Sequence, residues 1–225
     1  MTLETDATIS SNPATEVGGV PVLYADAAIV VVDKPAGLLT QPGRGPDKTD
    51  SVLTRLLTVY PDAVVVHRLD EPTSGLLVLA RGHEVCKTLN LAFRNRQVAK
   101  RYQAVVAGWL DADAGSVALP LSADWPNRPR QKIDPLDGKP SLTHYRVLDR
   151  APAPPTTRVD LEPVTGRSHQ LRMHMLGLGH PIVGDPLYAP DAVRAQADRL
   201  LLHACELAFA HPTTGAALAF ISAAP

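Results

Sequence analysis

Residues 63–80 carry two short apolar runs with a charged segment between them, and this pattern strongly limits the fold. The runs read AVVV (63–66) and SGLLVLA (74–80), and the segment between them reads HRLDEPT. Apolar runs of this length, bounded by polar or turn-forming residues, are typical of buried strands and are too short for helices. The pattern therefore predicts two strands, with Arg68 and Asp70 in the loop that connects them.

Apolar runs of strand length recur along the chain, whereas few segments show helical spacing. Strands are predicted at residues 27–35, 100–108, 116–121, 141–149, 157–163, 201–211 and 216–223. Helices are predicted at residues 49–60, 83–96 and 168–176. This balance predicts an α+β fold with a mixed, mostly antiparallel central sheet flanked by helices and loops.

The first 19 residues differ in composition from the rest of the chain. They are small and polar, with three acidic residues and no lysine or arginine, which predicts a disordered tail at 1–19 and one domain at 20–225. The segment lacks the basic start and apolar block of a secretory signal. No run of about 18 apolar residues occurs elsewhere, so the sequence predicts no membrane-spanning helix.

The cysteine content and the net charge limit the cellular compartment and the partners that the sequence favours. Cys86 and Cys205 are far apart and lack CxxC spacing, which predicts reduced core thiols in a cytoplasmic protein. The net charge of −1 argues mildly against nucleic-acid binding. Residues 81–110, however, hold six basic residues and one acidic residue. Such a face can bind phosphates, although a solvated helix gives the same pattern.

Asp70 and Arg172 are charged residues in unusually apolar surroundings. A carboxylate in a loop between buried strands either bonds the backbone of the turn or takes part in chemistry. Arg172 lies in SHQLRMHML, where a guanidinium needs an anionic partner or must reach solvent. Asp70 is a candidate partner for Arg172, but the sequence alone does not pair them.

Other candidate sites receive less support from the sequence. His169 and His174 are five residues apart, and no acidic third ligand lies near them, so a zinc site with His67 is not predicted. Tyr102, in KRYQAVV, is either a packing residue or a stacking platform for a base. The sequence TSGL is not a GxSxG nucleophile elbow, and VVDKPAGLL lacks the ending of a phosphate loop.

Four segments, in this order, resemble the RluA family of RNA pseudouridine synthases. They read DKPAGLL, HRLDEPTSGLLVLA, KRYQAVVAG and EPVTGRSHQLRMHMLGLGHPIVGDPLY. The resemblance runs from about residue 22 to the C-terminus. Residues 120–145 are similar to the short members that act on both tRNA and 23S rRNA. As in those members, we expect no S4-type RNA-binding domain before the catalytic domain.

The resemblance implies the pseudouridine synthase catalytic fold and a role for each matching residue. Asp70 is implied as the catalytic carboxylate, and Arg172 as its ion-pair partner. Tyr102 is implied to stack on the target uracil and to assist loss of the C5 proton. Arg68 is implied to fill the space left by a flipped nucleotide, and Leu171 to form part of the apolar wall of the pocket.

The remaining expectations concern RNA contacts and partners. Further RNA contacts are expected from His67, Thr73, Lys100, Arg101, Arg128, Arg130, Arg167 and His169. Basic residues of this set are expected to bind phosphates, which makes RNA affinity fall with salt. The reaction that the resemblance implies, isomerisation of uridine to pseudouridine, involves no redox change, so no cofactor and no metal are expected. The expected partners are tRNA and 23S rRNA, bound by a monomer in the cytoplasm.

Two other functions fit part of the pattern. A non-catalytic RNA-binding or ribosome-assembly protein could use the same residues without chemistry at Asp70. A glycoside-type hydrolase needs a second carboxylate near Asp70. Glu71 is the adjacent candidate, and sequence neighbours rarely converge on one ligand.

Overall fold

The computed structural model of the chain describes residues 8–10 and 15–224. The chain divides into two compact units. Unit 1 comprises Met1–Lys100 and Ala204–Pro225, and unit 2 comprises Arg101–His203. No helix among the described residues is long and apolar enough to cross a membrane.

The elements are numbered in chain order. The strands are β1 (Thr8–Ser10), β2 (Thr15–Val17), β3 (Val20–Ala25), β4 (Ile29–Lys34), β5 (Ala63–Val65), β6 (Ser74–Arg81), β7 (Ala99–Ala107), β8 (Ala114–Val117), β9 (Leu121–Ala123), β10 (Gln131–Ile133), β11 (Thr143–Pro152), β12 (Pro155–Pro163), β13 (Leu202–Ala210) and β14 (Ala217–Ile221). The α-helices are α1 (Val52–Leu56), α2 (His83–Arg94), α3 (Gln170–Gly177) and α4 (Asp191–Arg194). Short 3₁₀ turns occupy Pro46–Lys48 and Trp125–Asn127.

Unit 1 is built on an antiparallel ladder in the order β2-β3-β4-β6, with β5 also paired to β6. Strand β14 pairs antiparallel with β13 and parallel with β1. The residues of β4 and β6 read as nearly continuous apolar runs because almost every side chain is buried. Helix α2 covers this sheet with Cys86 and Leu89, which pack in one core with Val31, Val78 and Phe209.

Unit 2 contains a second antiparallel ladder in the order β7-β12-β11-β8. Strands β9 and β10 form a separate two-stranded hairpin. Leu171 and Met175 of α3 belong to the same core as Val106, Val159 and Leu161 of the sheet. These pairings and the few helices confirm the predicted α+β fold with a mostly antiparallel sheet.

Gly75, at the start of β6, has a backbone φ of 109°, a conformation that side chains other than glycine rarely adopt. A Cβ atom at this position would collide with the backbone carbonyl oxygen of Ala204 in β13. The glycine therefore lets two strands of unit 1 approach closely immediately after the Asp70 loop. This contact accounts physically for the glycine in HRLDEPTSG.

The predicted disordered tail, residues 1–19, is described only in part. Thr8–Ser10 forms β1 and pairs with β14, and Thr15–Val17 forms β2 and pairs with β3, so the prediction of disorder is wrong for these residues. Val17 is buried at the end of β2, and such a partner-dependent contact cannot be read from the composition of the tail. Residues 1–7 and 11–14 lie outside the described residues.

Candidate active site

The loop that carries Asp70 connects β5 and β6 in unit 1, and neighbouring backbone groups hold it in place. Thr40 Oγ1 donates a hydrogen bond to Leu69 O (2.9 Å) and accepts one from Leu69 N (3.2 Å). Gly37 N donates to Glu71 O at 2.9 Å. On the other side of Asp70, Thr73 N closes a turn onto Asp70 O at 3.0 Å. The Asp70 backbone is therefore fixed on both sides, while its side chain is partly buried.

Lys34, the last residue of β4, places a buried cation beside this loop. Its Nζ donates to the carbonyl oxygens of Pro35 (2.9 Å), Leu38 (2.6 Å) and Glu71 (3.0 Å). Burial lowers the pKa of Lys34 to about 8, and the nearby charges of Asp70 and Glu71 act in the opposite direction. Lys34 thus links the 34–40 segment to the Asp70 loop. The sequence signal was a lysine that follows Asp33 at the end of the apolar run 29–32.

Replacing Lys34 with methionine is expected to slow the reaction that the sequence resemblance implies, pseudouridine formation, about 10- to 100-fold, since small misplacements of a reacting group have effects of this size. Methionine keeps most of the buried volume but cannot donate to Leu38 O and Glu71 O. The rate at saturating RNA, with circular dichroism to monitor the fold, measures this change. An unchanged rate would contradict a positioning role for Lys34.

The same residue predicts how the reaction depends on pH. Because the pKa of Lys34 falls from 10.5 to about 8 in the folded protein, the unfolded chain binds more protons between these values. The contribution of Lys34 to folding stability therefore rises, rather than falls, from about pH 8 towards 10.5. If the wild-type rate declines through about pH 8, the decline would reflect deprotonation of Lys34. It would not reflect unfolding, because deprotonation of Lys34 does not destabilise the fold in this pH range. Lys34→Met should lack this decline.

His67 and Lys100 pack around Phe93 in unit 1. The His67 ring stacks on Phe93 with 4.6 Å between ring centres, and its Nε2 accepts a hydrogen bond from Val78 N at 3.2 Å. Burial, with a smaller contribution from the Lys100 charge, lowers the pKa of His67 to about 3. Lys100 Nζ lies 5.9 Å from the Phe93 ring centre, and burial lowers its pKa. His67 is therefore a neutral ring that orders the start of the Asp70 loop.

Unit 2 holds the other two residues with an implied catalytic role. Tyr102 lies in β7 opposite Leu161 of β12, where it is partly buried against the core of the unit. The neighbouring Arg101 donates to Asp160 Oδ2 at 2.6 Å, and Arg146 donates to the same oxygen at 3.3 Å. An RNA phosphate at Arg101 would therefore compete with Asp160.

Arg172 is almost completely buried in α3, and Asp185 supplies an anionic partner that the sequence did not predict. Arg172 Nε and Nη2 donate to the two carboxylate oxygens of Asp185, each at 2.7 Å, in a bidentate pair. Asp185 Oδ1 also accepts from the backbone N–H groups of Leu187 (2.9 Å) and Tyr188 (3.1 Å). The Tyr188 ring centre is 4.9 Å from the guanidinium carbon. This arrangement fixes the plane of the guanidinium.

The remaining predicted RNA contacts fall into buried and exposed groups. Thr73 and Leu171 are buried, at 2% and 7% exposure. His169 shares a 2.6 Å hydrogen bond between its Nδ1 and the Tyr188 hydroxyl. The exposed members are Arg68, Arg128, Arg130 and Arg167. Among the described residues, no group of three histidine, cysteine, aspartate or glutamate side chains could hold a metal ion.

The model of the family described as "RNA pseudouridylate synthase" matches residues 28–176, more than half of the chain. The chain belongs to this RNA pseudouridylate synthase family. The matched residues include Asp70, Tyr102 and Arg172, whereas Asp185 and Tyr188 lie beyond the end of the match.

Individual pseudouridine synthases show the same relationship along nearly the whole chain. The dual-specificity RNA pseudouridine synthase RluA of Pasteurella multocida is 50% identical over 95% of this chain and 97% of its own length. RluA of Escherichia coli K12 is 51% identical over 88% of this chain and 90% of its own length. The solved structure of human RNA pseudouridylate synthase domain containing 1 is 28% identical, with a TM-score of 0.76, covering 93% of this chain and 85% of that one.

Proposed function

We propose that this pseudouridine synthase family member isomerises uridine to pseudouridine in structured RNA, with Asp70 as its catalytic carboxylate. The observation that carries the proposal is the fixed Asp70 loop, whose backbone is held on both sides and which lies beside the buried cation Lys34. The family match around this loop supports the same reaction.

In this reaction the N1–C1′ bond of uridine breaks, the uracil turns, and a C5–C1′ bond forms. C5 loses a proton and N1 gains one, so the product is an isomer and no electrons are exchanged. Asp70 either attacks C1′ or removes a proton from C2′, and both routes need the ionised carboxylate. The target nucleotide must leave its base stack first, which costs a few kcal/mol.

We assign Tyr102 and Arg172 the roles implied by the resemblance. Tyr102 stacks on the uracil and assists loss of the C5 proton, and Arg172 is the cationic partner of the catalytic carboxylate. The bidentate hydrogen bonds from Arg172 to Asp185 hold the guanidinium in one orientation, so the proposed role would need no further ordering of this side chain.

We further propose that the substrates are a tRNA anticodon stem-loop and a 23S rRNA hairpin. Two relatives that are 50% and 51% identical to this chain are named dual-specificity RNA pseudouridine synthases. Their names support two RNA classes as substrates. Arg68 would fill the space of the flipped nucleotide. The remaining RNA contacts expected from the sequence are retained as part of this proposal. The protein would act as a monomer. It would act in the cytoplasm, in keeping with its two buried cysteines, which form no disulfide.

Purified protein tests this function on RNA labelled with tritium at uridine C5, since the reaction releases that proton. We expect tritium release from both tRNA and 23S rRNA transcripts, and pseudouridine mapping should place the product in a hairpin loop of each. Release from one RNA class alone would contradict the dual substrate range. Release from neither class would contradict the proposed activity.

A further inference from the structure

The loop between β9 and β10 in unit 2 has a fixed shape because it closes on itself. Asp124 N donates to Arg130 O, Asn127 N to Asp124 O, and Arg130 N to Asn127 O, each at 3.0 Å. Asn127 Nδ2 also donates to Asp124 Oδ2 at 2.9 Å, so this carboxylate has a hydrogen-bond partner within the loop. These bonds surround the 3₁₀ turn Trp125–Asn127.

The base of this loop is anchored to the rest of unit 2. Gln131 N donates to the Tyr188 hydroxyl at 2.7 Å. Asp134 Oδ2 accepts from Ser122 Oγ at 2.8 Å and lies 3.1 Å from Lys132 Nζ. A backbone hydrogen bond from Asp137, followed by those bonds to Ser122 and Lys132, lowers the pKa of Asp134 to about 2. The loop is thus held in place before any ligand binds.

Trp125 projects from this ordered loop with 67% of its surface exposed. The Arg128 guanidinium carbon lies 4.1 Å from the centre of its ring, within the range of a cation–π contact. The hydrogen bonds that close the loop join backbone groups and the side chains of Asn127 and Asp124, and none of them uses the indole N–H. A large aromatic side chain presented to solvent on a rigid support is suited to contact a ligand.

We propose that Trp125 is a stacking platform for an unpaired base of the RNA substrate, with Arg128 bracing the indole and contacting the adjacent phosphate. The inference rests on the proposed function, because it assigns a binding residue for that RNA. A flat aromatic face next to an exposed guanidinium matches the two parts of a nucleotide, its base and its phosphate. Arg130 adds an exposed positive charge to the same loop, which favours RNA over an apolar protein surface.

Tryptophan fluorescence can test the contact directly, because Trp109 and Trp125 are the two tryptophans of the chain. In a Trp109→Phe background, titration with the anticodon stem-loop should quench the remaining emission, which comes from Trp125. The matched Trp125→Phe protein, which keeps Trp109, should show little quenching. Absence of quenching in the Trp109→Phe protein, with RNA bound, would overturn the proposal.

Affinity and turnover provide an independent test. Trp125→Ala should weaken RNA binding about 5- to 150-fold, the range for loss of one stacked base, with kcat at saturating RNA changed less than about twofold. Arg128→Gln should reduce the slope of log affinity against log salt concentration by the amount expected for one phosphate contact. Trp125→Ala should leave this slope unchanged.

The outcomes separate this inference from the proposed function. If wild type releases tritium and Trp125→Ala binds RNA equally well, the stacking role is wrong and the activity stands. A loss of kcat without a loss of affinity would also overturn it. If wild-type protein neither binds nor modifies RNA, the proposed function has failed, and the stacking role fails with it.

Discussion

Replacing Asp70 with asparagine is expected to lower the rate of pseudouridine formation by about 10⁴-fold or more, a loss typical of removing a residue that reacts with substrate. The amide has nearly the same size as the carboxylate but cannot attack C1′ or accept a proton from C2′. The bonds that hold the loop use the backbone of Asp70, Leu69 and Glu71, so they survive the substitution. RNA affinity and circular dichroism should therefore stay close to wild type.

Tritium release at saturating RNA, with single-turnover conditions for the slow variant, measures this effect. Glu71→Gln is the matched control, since Glu71 is the adjacent exposed carboxylate and contributes its backbone carbonyl to Lys34. We expect Glu71→Gln to retain activity within a few-fold. Normal turnover by Asp70→Asn would remove Asp70 from the mechanism. Equal losses in both variants would instead favour a two-carboxylate reaction, as in a glycoside hydrolase.

The elements that the sequence predicted well are those whose pattern is set by their own burial. The apolar runs at 74–80 and 201–211 became β6 and β13, because strands buried on both faces need no alternation. The predicted strand at 116–121 is instead two strands, β8 and β9. Pro120, which has no backbone N–H to donate, lies between them. Local pattern thus located the elements better than their ends.

The predicted helix at 49–60 shows a similar limit. Only α1, Val52–Leu56, is helical, and its N-cap is Ser51, two residues after the predicted start. Ser51 and Thr54 exchange hydrogen bonds between side chain and backbone, which forms a capping box. Threonine at the third helical position is a weaker sequence signal of a capping box than glutamate or glutamine. The predicted start of this helix therefore depended on apolar spacing alone.

The site residues also differ in whether the local sequence or the path of the folded chain determines their contacts. The sequence indicated that the buried guanidinium of Arg172 needs an anion, because that requirement is local and electrostatic. It did not identify Asp185, which lies 13 residues further along the chain and meets Arg172 only in the folded unit. Lys34 was missed for the same reason, since its acceptor on Glu71 is 37 residues away. Residue chemistry can predict that a partner exists, while the chain path decides which residue it is.

Replacing Asp185 with alanine is expected to destabilise the protein by roughly 3–5 kcal/mol, because it leaves the Arg172 guanidinium buried without this counter-charge. Both side chains of the pair are 1% exposed, so solvent cannot replace the lost partner. Urea unfolding measures the loss. The control is Glu84→Gln, which breaks an ion pair with Lys87 whose side chains are 86% and 72% exposed. That surface change should leave the urea midpoint close to that of wild type, because water and salt screen an exposed ion pair.

A double replacement separates the structural part of this effect from the chemical part. In Arg172→Met with Asp185→Asn, no charge of the pair remains, and the asparagine oxygen can still accept from the Leu187 and Tyr188 amides. We expect the double variant to be more stable than Asp185→Ala by about 2 kcal/mol, because breaking a buried pair costs more than replacing both partners.

The activity of this double variant then decides what the buried pair is for. Because the proposed mechanism needs the positive charge of Arg172, the restored protein should remain at least about 100-fold slower than wild type in tritium release, a loss typical of removing one electrostatic contact to a transition state. Recovery of both stability and rate would show that the pair serves the fold alone. An Asp185→Ala protein as stable as wild type would show that other groups already compensate the guanidinium, and that Asp185 does not hold it.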